Sequence, residues 1–212
     1  MTSDYHLFST IRVEAGVCTL LPLHVKRLAA SSAALGFRLD QDAFTHGLTE
    51  AAAKAGHMPL AKLRVELHRQ GDWVLEGPHV LFADAPELKA LLWPEPVQST
   101  DPMLPHKTTV RPVYDRVVRE VHACGFVDAV FHNEHGVVTE GAVHSVFARW
   151  GSAWKAPTLA AGILPGVYRE HLLSTRPEIH EEDFSVDDLL QADEVWLTNA
   201  LRGIRKVQAM KQ

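Results

Sequence analysis

The sequence predicts an α+β fold in two lobes, and two observations lead to that prediction. Helical and strand-like patterns come in groups and do not alternate strictly, which argues against a doubly wound parallel sheet. Five prolines between residues 86 and 105 are typical of a connection between two compact parts of a chain. We therefore predict a small N-terminal lobe over residues 1–86, a linker with a short strand over 87–106, and a larger C-terminal lobe over 107–212.

Local patterns define the elements of the N-terminal lobe. β-Branched and aromatic residues over 5–13 predict a strand. Apolar residues at helical spacing predict helices over 23–35 and 42–55, and each is followed by a glycine, which commonly ends a helix. Two apolar runs in "KLRVELHRQGDWVLEGPHVLFA" surround a turn at residues 70–72 and predict a hairpin.

The pattern changes beyond the proline-bearing stretch, which itself contains a predicted strand at residues 90–93. Helices are expected over 113–124 and 167–173. Ser185 and Asp188 have the spacing of a capping box and predict the start of a further short helix. Strands are expected in "FVDAVFHN", "GVVTEG", "HSVFARW" and "WLTNALRG".

Composition argues against several classes of function. The net charge of -5 gives no basic face for nucleic acid or for an anionic membrane. No apolar run approaches the roughly 18 residues that cross a bilayer, and the start of the chain lacks the layout of a secretory signal. Cys18 and Cys124 lack metal-ligand spacing, and the 13 histidines form no HExxH pair. We therefore expect no metal and a reduced, cytoplasmic setting.

Lys107, in "LPHKTTVR", is a candidate for covalent chemistry. It follows the prolines and precedes two threonines and a predicted helix. Desolvation in such a crowded place would favour the neutral amine, which can form a Schiff base. The alternative is a lysine whose stem merely lies along the surface where the lobes meet.

Two further stretches could bind an anion. Arg27, in "HVKRLAAS", offers a rigid fork of donors that could hold a phosphate, or it could be a solvated residue on a helix face. In "AAGILPGVYREHLL" a helix is predicted to begin at about Pro165. The backbone N–H groups of Ile163 and Leu164 could then bind an anion at the helix start, although an ordinary entry into a helix is the commoner arrangement.

Glu140 is the least expected residue in its surroundings. It lies at a bend in "GVVTEGAVHSVFARW", between Thr139 and Gly141, with valines on both sides. A carboxylate that close to an apolar surface needs a partner, because an unpaired buried charge is strongly unfavourable. The alternative is a turn residue exposed to water.

Five short motifs succeed one another along the chain. They are "HxxRL" around Arg27, "HKTT" around Lys107, "VTEG" around Glu140, "GILPG" at 162–166 and "LTNALRG" at 197–203. In this order they resemble the class IV aminotransferases, the fold type IV enzymes of pyridoxal phosphate, from about residue 8 to residue 207. The family includes branched-chain aminotransferases, D-amino acid aminotransferases and 4-amino-4-deoxychorismate lyases. The resemblance implies a small-molecule substrate, pyridoxal 5'-phosphate between the lobes, and a homodimer.

The resemblance also implies a role for each motif residue. Lys107 would bind the cofactor covalently and move protons as general base and acid. Glu140 would face the pyridine nitrogen and keep it protonated, so that the buried carboxylate is paired with a cation of the ligand. The cofactor phosphate would be held by the Arg27 side chain, by the backbone N–H groups of Ile163 and Leu164, and by the main chain of Ala200, where many relatives carry a hydroxyl.

The position within the family rests on fewer residues. Pro112 stands where branched-chain aminotransferases usually have a tyrosine, which counts against that activity. The opening "LFSTIRVEAGVCTLLPLHVKRLAASSAALGF" resembles aminodeoxychorismate lyases, including those fused to the synthase that makes their substrate. We therefore expect a lyase of folate biosynthesis that converts 4-amino-4-deoxychorismate to 4-aminobenzoate and pyruvate, coupled to such a synthase. The alternatives are a transaminase of D- or branched-chain amino acids, and a non-catalytic relative or partner module of a synthase that binds the cofactor.

Three residues are candidates for contact with the substrate. Thr10 corresponds to a family threonine that faces cofactor and substrate, where it could relay a proton or only support a strand contact. Arg12 and Arg69 could each bind a substrate carboxylate, or each could be an ordinary surface charge.

Overall fold

The computed structural model describes residues 5–80 and 88–211, which form two compact units. The first unit consists of residues 5–80 with 106–110, and the second of residues 88–105 with 111–211. The predicted lobe boundary at residue 86 lies outside the described residues. Elsewhere the division differs from the predicted one, because Lys107 belongs to the first unit and the strand of the predicted linker belongs to the second.

The first unit is an antiparallel sheet with two helices. Its elements are β1 (Leu7–Glu14), β2 (Val17–Cys18), α1 (Leu21–Leu35), α2 (Gln41–Lys54), β3 (Leu60–Leu67) and β4 (Trp73–Val80). The strand order is β2-β1-β3-β4. The predicted strand, both helices and the hairpin are confirmed. The two-residue strand β2 was not predicted, because it is too short to show a period.

Alternation along β1 and β3 separates a core face from an opposite face. Leu63 and Val65 of β3 pack in one apolar cluster with Leu28 of α1 and with Phe44 and Leu48 of α2. The residues between these core positions on the two strands form the opposite face, which carries Phe8, Thr10 and Arg64. The helices therefore cover one side of the sheet, and the other side bears the polar and charged residues.

Lys107 is carried at the edge of this sheet, beside β1. The Phe8 N–H donates to the Lys107 carbonyl (3.0 Å), and the Thr109 N–H donates to the His6 carbonyl (2.9 Å). Leu7 and Thr108 form an antiparallel bridge between these two bonds. These backbone bonds are the physical reason why Lys107 belongs to the first unit.

The second unit is built around an eight-stranded sheet. Its elements are β5 (Lys89–Leu92), α3 (Pro112–Ala123), β6 (Asp128–His132), β7 (Val138–Gly141), β8 (Ser145–Trp150), β9 (Ala153–Ala156), a 3₁₀ helix (Leu159–Ala161), α4 (Val167–Thr175), β10 (Ile179–Glu181), α5 (Val186–Leu190), β11 (Glu194–Asn199) and β12 (Gly203–Met210). The strand order is β10-β9-β8-β11-β12-β5-β6-β7, and β7 also pairs with β8, so that six of the strands close on themselves. Glu140 and Ser145 form the closing pair.

Most predictions for this region are confirmed, including the helices α3 and α4 and the strand β11 within "WLTNALRG". The capping box is present, with Ser185 and Asp188 exchanging both bonds. The short strands β9 and β10 and the longer strand β12 were not predicted. Helix α4 begins at Val167 and not at Pro165, because Gly166 is the N-cap and has an extended backbone. None of the described helices is long and apolar enough to span a membrane.

Hydrogen bonds to Glu134 join the turn between β6 and β7 to the loop after β5, and their strength depends on pH. The Ser99 N–H donates to Glu134 Oε2 (2.8 Å) and the Ser99 hydroxyl to Oε1 (2.6 Å). These two bonds, the hydroxyl's first, lower the pKa of Glu134 from 4.5 to about 2. Because the folded pKa lies below the unfolded one, the bonds stabilise the fold above about pH 4.5, and this contribution is lost as the pH falls towards 2.

We expect Glu134→Gln to be less stable than the native protein near neutral pH, because the amide replaces an ionised acceptor. The difference in the free energy of unfolding should shrink steadily as the pH falls below about 4.5. Urea denaturation at a series of pH values measures this difference. A difference that stays constant with pH would contradict the prediction.

Candidate active site

Lys107 lies beside the Phe8 ring in the first unit, and a second cation contacts the same ring. Its Nζ is 4.6 Å from the centroid of the Phe8 ring, and Cζ of Arg64 is 4.0 Å from the same centroid. Thr10 is the direct cross-strand partner of Arg64. The half-buried amine of Lys107 and the guanidinium of Arg64 therefore share one aromatic neighbour.

Arg27 is held by a buried serine and histidine. Its Nη2 donates to Ser9 Oγ (3.1 Å), and Ser9 Oγ lies 2.7 Å from Nδ1 of His24. Burial lowers the pKa of His24 to about 3, and the cations Arg27 and Lys107 act in the same direction. His24 is therefore neutral, and the Ser9 hydroxyl links the neutral imidazole to the arginine that the sequence assigns to phosphate.

Removing the Ser9 hydroxyl should loosen Arg27. We expect Ser9→Ala to weaken pyridoxal phosphate binding by about three- to tenfold, the size of one hydrogen bond. Binding of pyridoxal, which lacks the phosphate, should not change. Titration of cofactor-free protein with both compounds measures this. Ser32→Ala is the control, because Ser32 is a buried serine on the helix that carries Arg27. An equal loss for both compounds would contradict a role through the phosphate.

Glu140 is buried at the end of β7 in the second unit and is only 7% exposed. Its Oε1 accepts the Tyr114 hydroxyl (3.3 Å), and its Oε2 accepts the Leu164 N–H (3.2 Å). Glu140 is thus not the water-exposed turn residue that the sequence left open as an alternative. Both carboxylate oxygens accept hydrogen bonds, and such bonds favour the ionised form.

The predicted anion site at residues 163–164 differs from the structure in one respect. Helix α4 begins at Val167 and its N-cap is Gly166, so Ile163 and Leu164 lie in the loop before the helix and not in its first turn. Ile163 is 3% exposed, and the N–H of Leu164 donates to Glu140. The binding of phosphate by these two N–H groups stays a prediction.

The turn that follows Glu140 is organised by Asp128 of β6, which is fully buried. Its carboxylate accepts the N–H groups of Ala142 and Val143 (3.1 Å each) and lies 2.7 Å from Nδ1 of His144. Nη1 of Arg205 lies 3.3 Å from Nε2 of the same histidine. A guanidinium can only donate, so Nε2 is the acceptor and Nδ1–H donates to Asp128. His144 thus connects the Arg205 guanidinium to the Asp128 carboxylate.

Two loops adjoin this turn. Asn199 donates from Nδ2 to the Val143 carbonyl (3.3 Å), while its Oδ1 accepts the N–H groups of Leu201 and Arg202 (3.1 and 2.8 Å). Asn199 thereby ties the loop that contains Ala200 to the turn after Glu140. Gly162 comes before Leu164 and has a positive φ of 88°. A Cβ at Gly162 would lie 2.6 Å from Cα of Ser99, so only glycine allows the loop to approach there.

The two arginines predicted to bind a substrate carboxylate have other contacts. Arg12 Nε donates to Glu14 (2.6 Å). Arg69 Nη1 donates to the Leu35 carbonyl at the end of α1 (2.8 Å), and its Cζ is 4.5 Å from the centroid of the Phe37 ring. Arg64, which the sequence did not single out, also has a carboxylate partner, since its Nη2 donates to Glu66 (2.6 Å). It differs from Arg12 and Arg69 in contacting the same Phe8 ring as Lys107, and it is therefore a further candidate for that role.

The predicted site residues are divided between the two units. Lys107, Arg27 and Thr10 lie in the first unit, and Glu140, Leu164 and Ala200 lie in the second. No group of three or more potential metal ligands occurs in residues 5–80 and 88–211. The sequence did not single out Ser9, Asp128, Tyr114 or His144. Asp128 offered one signal, since it is a charged residue in the apolar run "FVDAVF".

The pattern of the family described as amino-transferase class IV matches residues 6–210. A candidate aminodeoxychorismate lyase from Schizosaccharomyces pombe is 27% identical over 209 residues, which cover 96% of this chain and 89% of that protein. Similarity at this length extends over both units.

Solved structures agree with this match. A candidate amino-acid aminotransferase from Mesorhizobium loti is 30% identical, with a TM-score of 0.88 over 98% of this chain and 100% of the other. The 4-amino-4-deoxychorismate lyase from Pseudomonas aeruginosa has a TM-score of 0.83 at 24% identity, over 96% of this chain and 82% of the other, and shows a shared fold. The predicted α+β fold of type IV is confirmed.

Proposed function

The chain belongs to the class IV aminotransferase family of enzymes that depend on pyridoxal 5'-phosphate, and from this premise we propose that it is a lyase. Its substrate would be 4-amino-4-deoxychorismate and its products 4-aminobenzoate and pyruvate. The observation that carries the proposal is the similarity, over nearly the whole chain, to the candidate aminodeoxychorismate lyase of S. pombe.

The described residues fit the cofactor by the chemistry of their side chains. The primary amine of Lys107 suits the aldehyde, the guanidinium of Arg27 suits the phosphate, and the buried carboxylate of Glu140 suits a protonated pyridine nitrogen. A buried carboxylate that already accepts two hydrogen bonds is prepared for one more donor. When bound, the cofactor supplies an electron sink for the carbanion formed at Cα of the substrate.

Lys107 would carry the proton transfers of the reaction. Its Nζ takes the proton from the ring carbon that bears the amino group, and the bond from the ring to the ether oxygen then breaks. The ring becomes aromatic as 4-aminobenzoate, and the enolpyruvate that leaves takes up a proton at its methylene carbon to become pyruvate. The atoms of the substrate are thus all found in the two products.

Arg64 is our candidate for binding a substrate carboxylate, because it shares the Phe8 ring with Lys107. We expect Arg64→Gln to raise KM for the substrate about tenfold with a smaller effect on kcat, the loss expected for one charge-assisted contact. Arg69→Gln is the matched control and should leave KM unchanged, since Arg69 is bonded to the end of α1. The opposite result, with KM raised only in Arg69→Gln, would favour Arg69, one of the two arginines that the sequence offered.

The decisive experiment supplies aminodeoxychorismate from a purified synthase and measures release of 4-aminobenzoate and pyruvate. Cofactor-loaded native protein should release both in equal amounts, and Lys107→Ala should release neither. If the loaded native protein releases neither product, the lyase proposal is wrong.

A transaminase is the second candidate, and the similarity to the candidate amino-acid aminotransferase of M. loti favours it. Incubation with L- and D-amino donors and a keto acid acceptor distinguishes the two, because a transaminase releases a new keto acid without 4-aminobenzoate.

We also propose that the active protein is a homodimer and that it acts directly after the synthase. Light scattering of the loaded protein, alone and mixed with the synthase, tests both of these proposals.

A further inference from the structure

Tyr114 contacts the one buried carboxylate that the proposed function uses. Its hydroxyl donates to Oε1 of Glu140, on the side of the carboxylate opposite to the Leu164 N–H. We propose that Tyr114 is a positioning residue, whose hydroxyl keeps Glu140 ionised and fixes the direction of its carboxylate. The inference rests on the proposed function, in which Glu140 faces the ring nitrogen of the cofactor.

Burial and nearby charges keep the Tyr114 hydroxyl protonated, so it can donate a hydrogen bond to Glu140. Tyr114 is 8% exposed. Burial first, and then the charge of Glu140, raise the pKa of Tyr114 well above its ordinary value of 10, while the nearby Arg111 partly offsets them. The phenol therefore keeps its proton, and the bond it donates to a carboxylate is charge-assisted.

The first turn of α3 holds Tyr114 in place. Its ring packs against Phe131 of β6, with centroids 4.8 Å apart and planes at 55°. The Arg111 guanidinium lies 4.8 Å from the centroid of the Tyr114 ring. Nη2 of Arg111 also donates to the carbonyl of Ala142, two residues after Glu140. The N-cap residue Arg111 and Tyr114 of the first turn of α3 thus contact the turn after Glu140 and the Glu140 side chain, respectively.

The same turn is fixed from another side by Asp128, through the N–H groups of Ala142 and Val143. The backbone on the C-terminal side of Glu140 is therefore determined without Tyr114. What Tyr114 adds is a proton donor at the carboxylate itself. Tyr114→Phe should consequently change the chemistry of Glu140 while leaving its backbone in place.

The test compares Tyr114→Phe with the native chain, both freed of cofactor. Infrared spectra at a series of pH values follow the band of a protonated carboxyl, which is assigned to Glu140 by its absence in Glu140→Gln. We expect the midpoint at which Glu140 takes up a proton to rise by about one to two pH units in Tyr114→Phe, the size of one charge-assisted bond. Tyr5→Phe is the control and should leave the midpoint unchanged.

The loaded protein gives a second readout. Tyr114→Phe should shift the pH dependence of the bound cofactor's visible absorption, and in a Glu140→Gln background the same change should have no further effect. An unchanged Glu140 midpoint in a folded Tyr114→Phe protein overturns the inference, as does an equal spectral shift in both backgrounds. If Glu140→Gln itself leaves the cofactor spectrum unchanged, the role proposed for Glu140 fails, and the infrared midpoint still decides whether Tyr114 controls the carboxylate.

Discussion

Lys107→Ala is expected to abolish turnover, with a loss of about a thousandfold or more, because it removes both the covalent attachment and the proton carrier. The native protein should bind the cofactor through a linkage that borohydride reduces and fixes to the chain. Reduction of the variant should leave the cofactor removable by dialysis. Peptide mapping of the reduced native protein should place the label on the peptide that contains Lys107.

Lys62→Ala provides the matched control for this prediction, since Lys62 is another half-buried lysine of the first unit. It should retain the covalent linkage and most of the activity. Borohydride labelling of the Lys107→Ala chain would show that a different lysine carries the cofactor.

Glu140→Gln is expected to keep the cofactor and to lose turnover by about a hundredfold or more. Glutamine has nearly the same shape but only one acceptor oxygen, so it can keep the bond from the Leu164 N–H only if its amide nitrogen takes the place of the oxygen that faces the Tyr114 hydroxyl. A neutral amide no longer stabilises a protonated ring nitrogen, and the electron sink is weakened. The visible spectrum of the bound cofactor and kcat for the lyase reaction measure the two parts of this prediction.

Glu134→Gln serves as the control for Glu140→Gln, because it changes an exposed glutamate of the same unit without touching Glu140. Full activity is expected at neutral pH. If Glu140→Gln turned over substrate at the native rate, the buried carboxylate would have a structural role only.

Much of the secondary structure could be predicted from the sequence, because the helices and most of the longer strands have clear apolar periods. Strand β12 is an exception, since only Val207 of its residues is buried. The membership of Lys107 in the first unit could not be predicted. It depends on two backbone hydrogen bonds, from the Phe8 N–H to the Lys107 carbonyl and from the Thr109 N–H to the His6 carbonyl, which join segments about a hundred residues apart in the chain. The prolines indicated a boundary between two compact parts of the chain. They could not show with which part residues 106–110 form backbone hydrogen bonds.

The candidate site residues Lys107, Arg27 and Glu140 could be chosen from the sequence because they occur in motifs of a recognisable family, and their roles stay predictions. Their supporting residues could not be predicted, because Tyr114 lies 26 positions from Glu140 in the sequence and meets it only in the folded chain. The sequence offered Arg12 and Arg69 for the substrate carboxylate and not Arg64, because strand pairing cannot be read from a single sequence. Arg64 lies within β3, opposite Thr10, whereas Arg69 lies beyond the end of that strand.

The position of β5 in its sheet has a consequence for biosynthesis. Strand β5 lies between β6 and β12 and is parallel to both, so a strand that begins at Lys89 is paired with one that ends at Met210. A nascent chain can pair β7 with β8 around Glu140 early. The closed arrangement of six strands stays incomplete until β12, which ends at Met210, has left the ribosome. Stable capture of the cofactor is therefore expected only after translation has passed that strand.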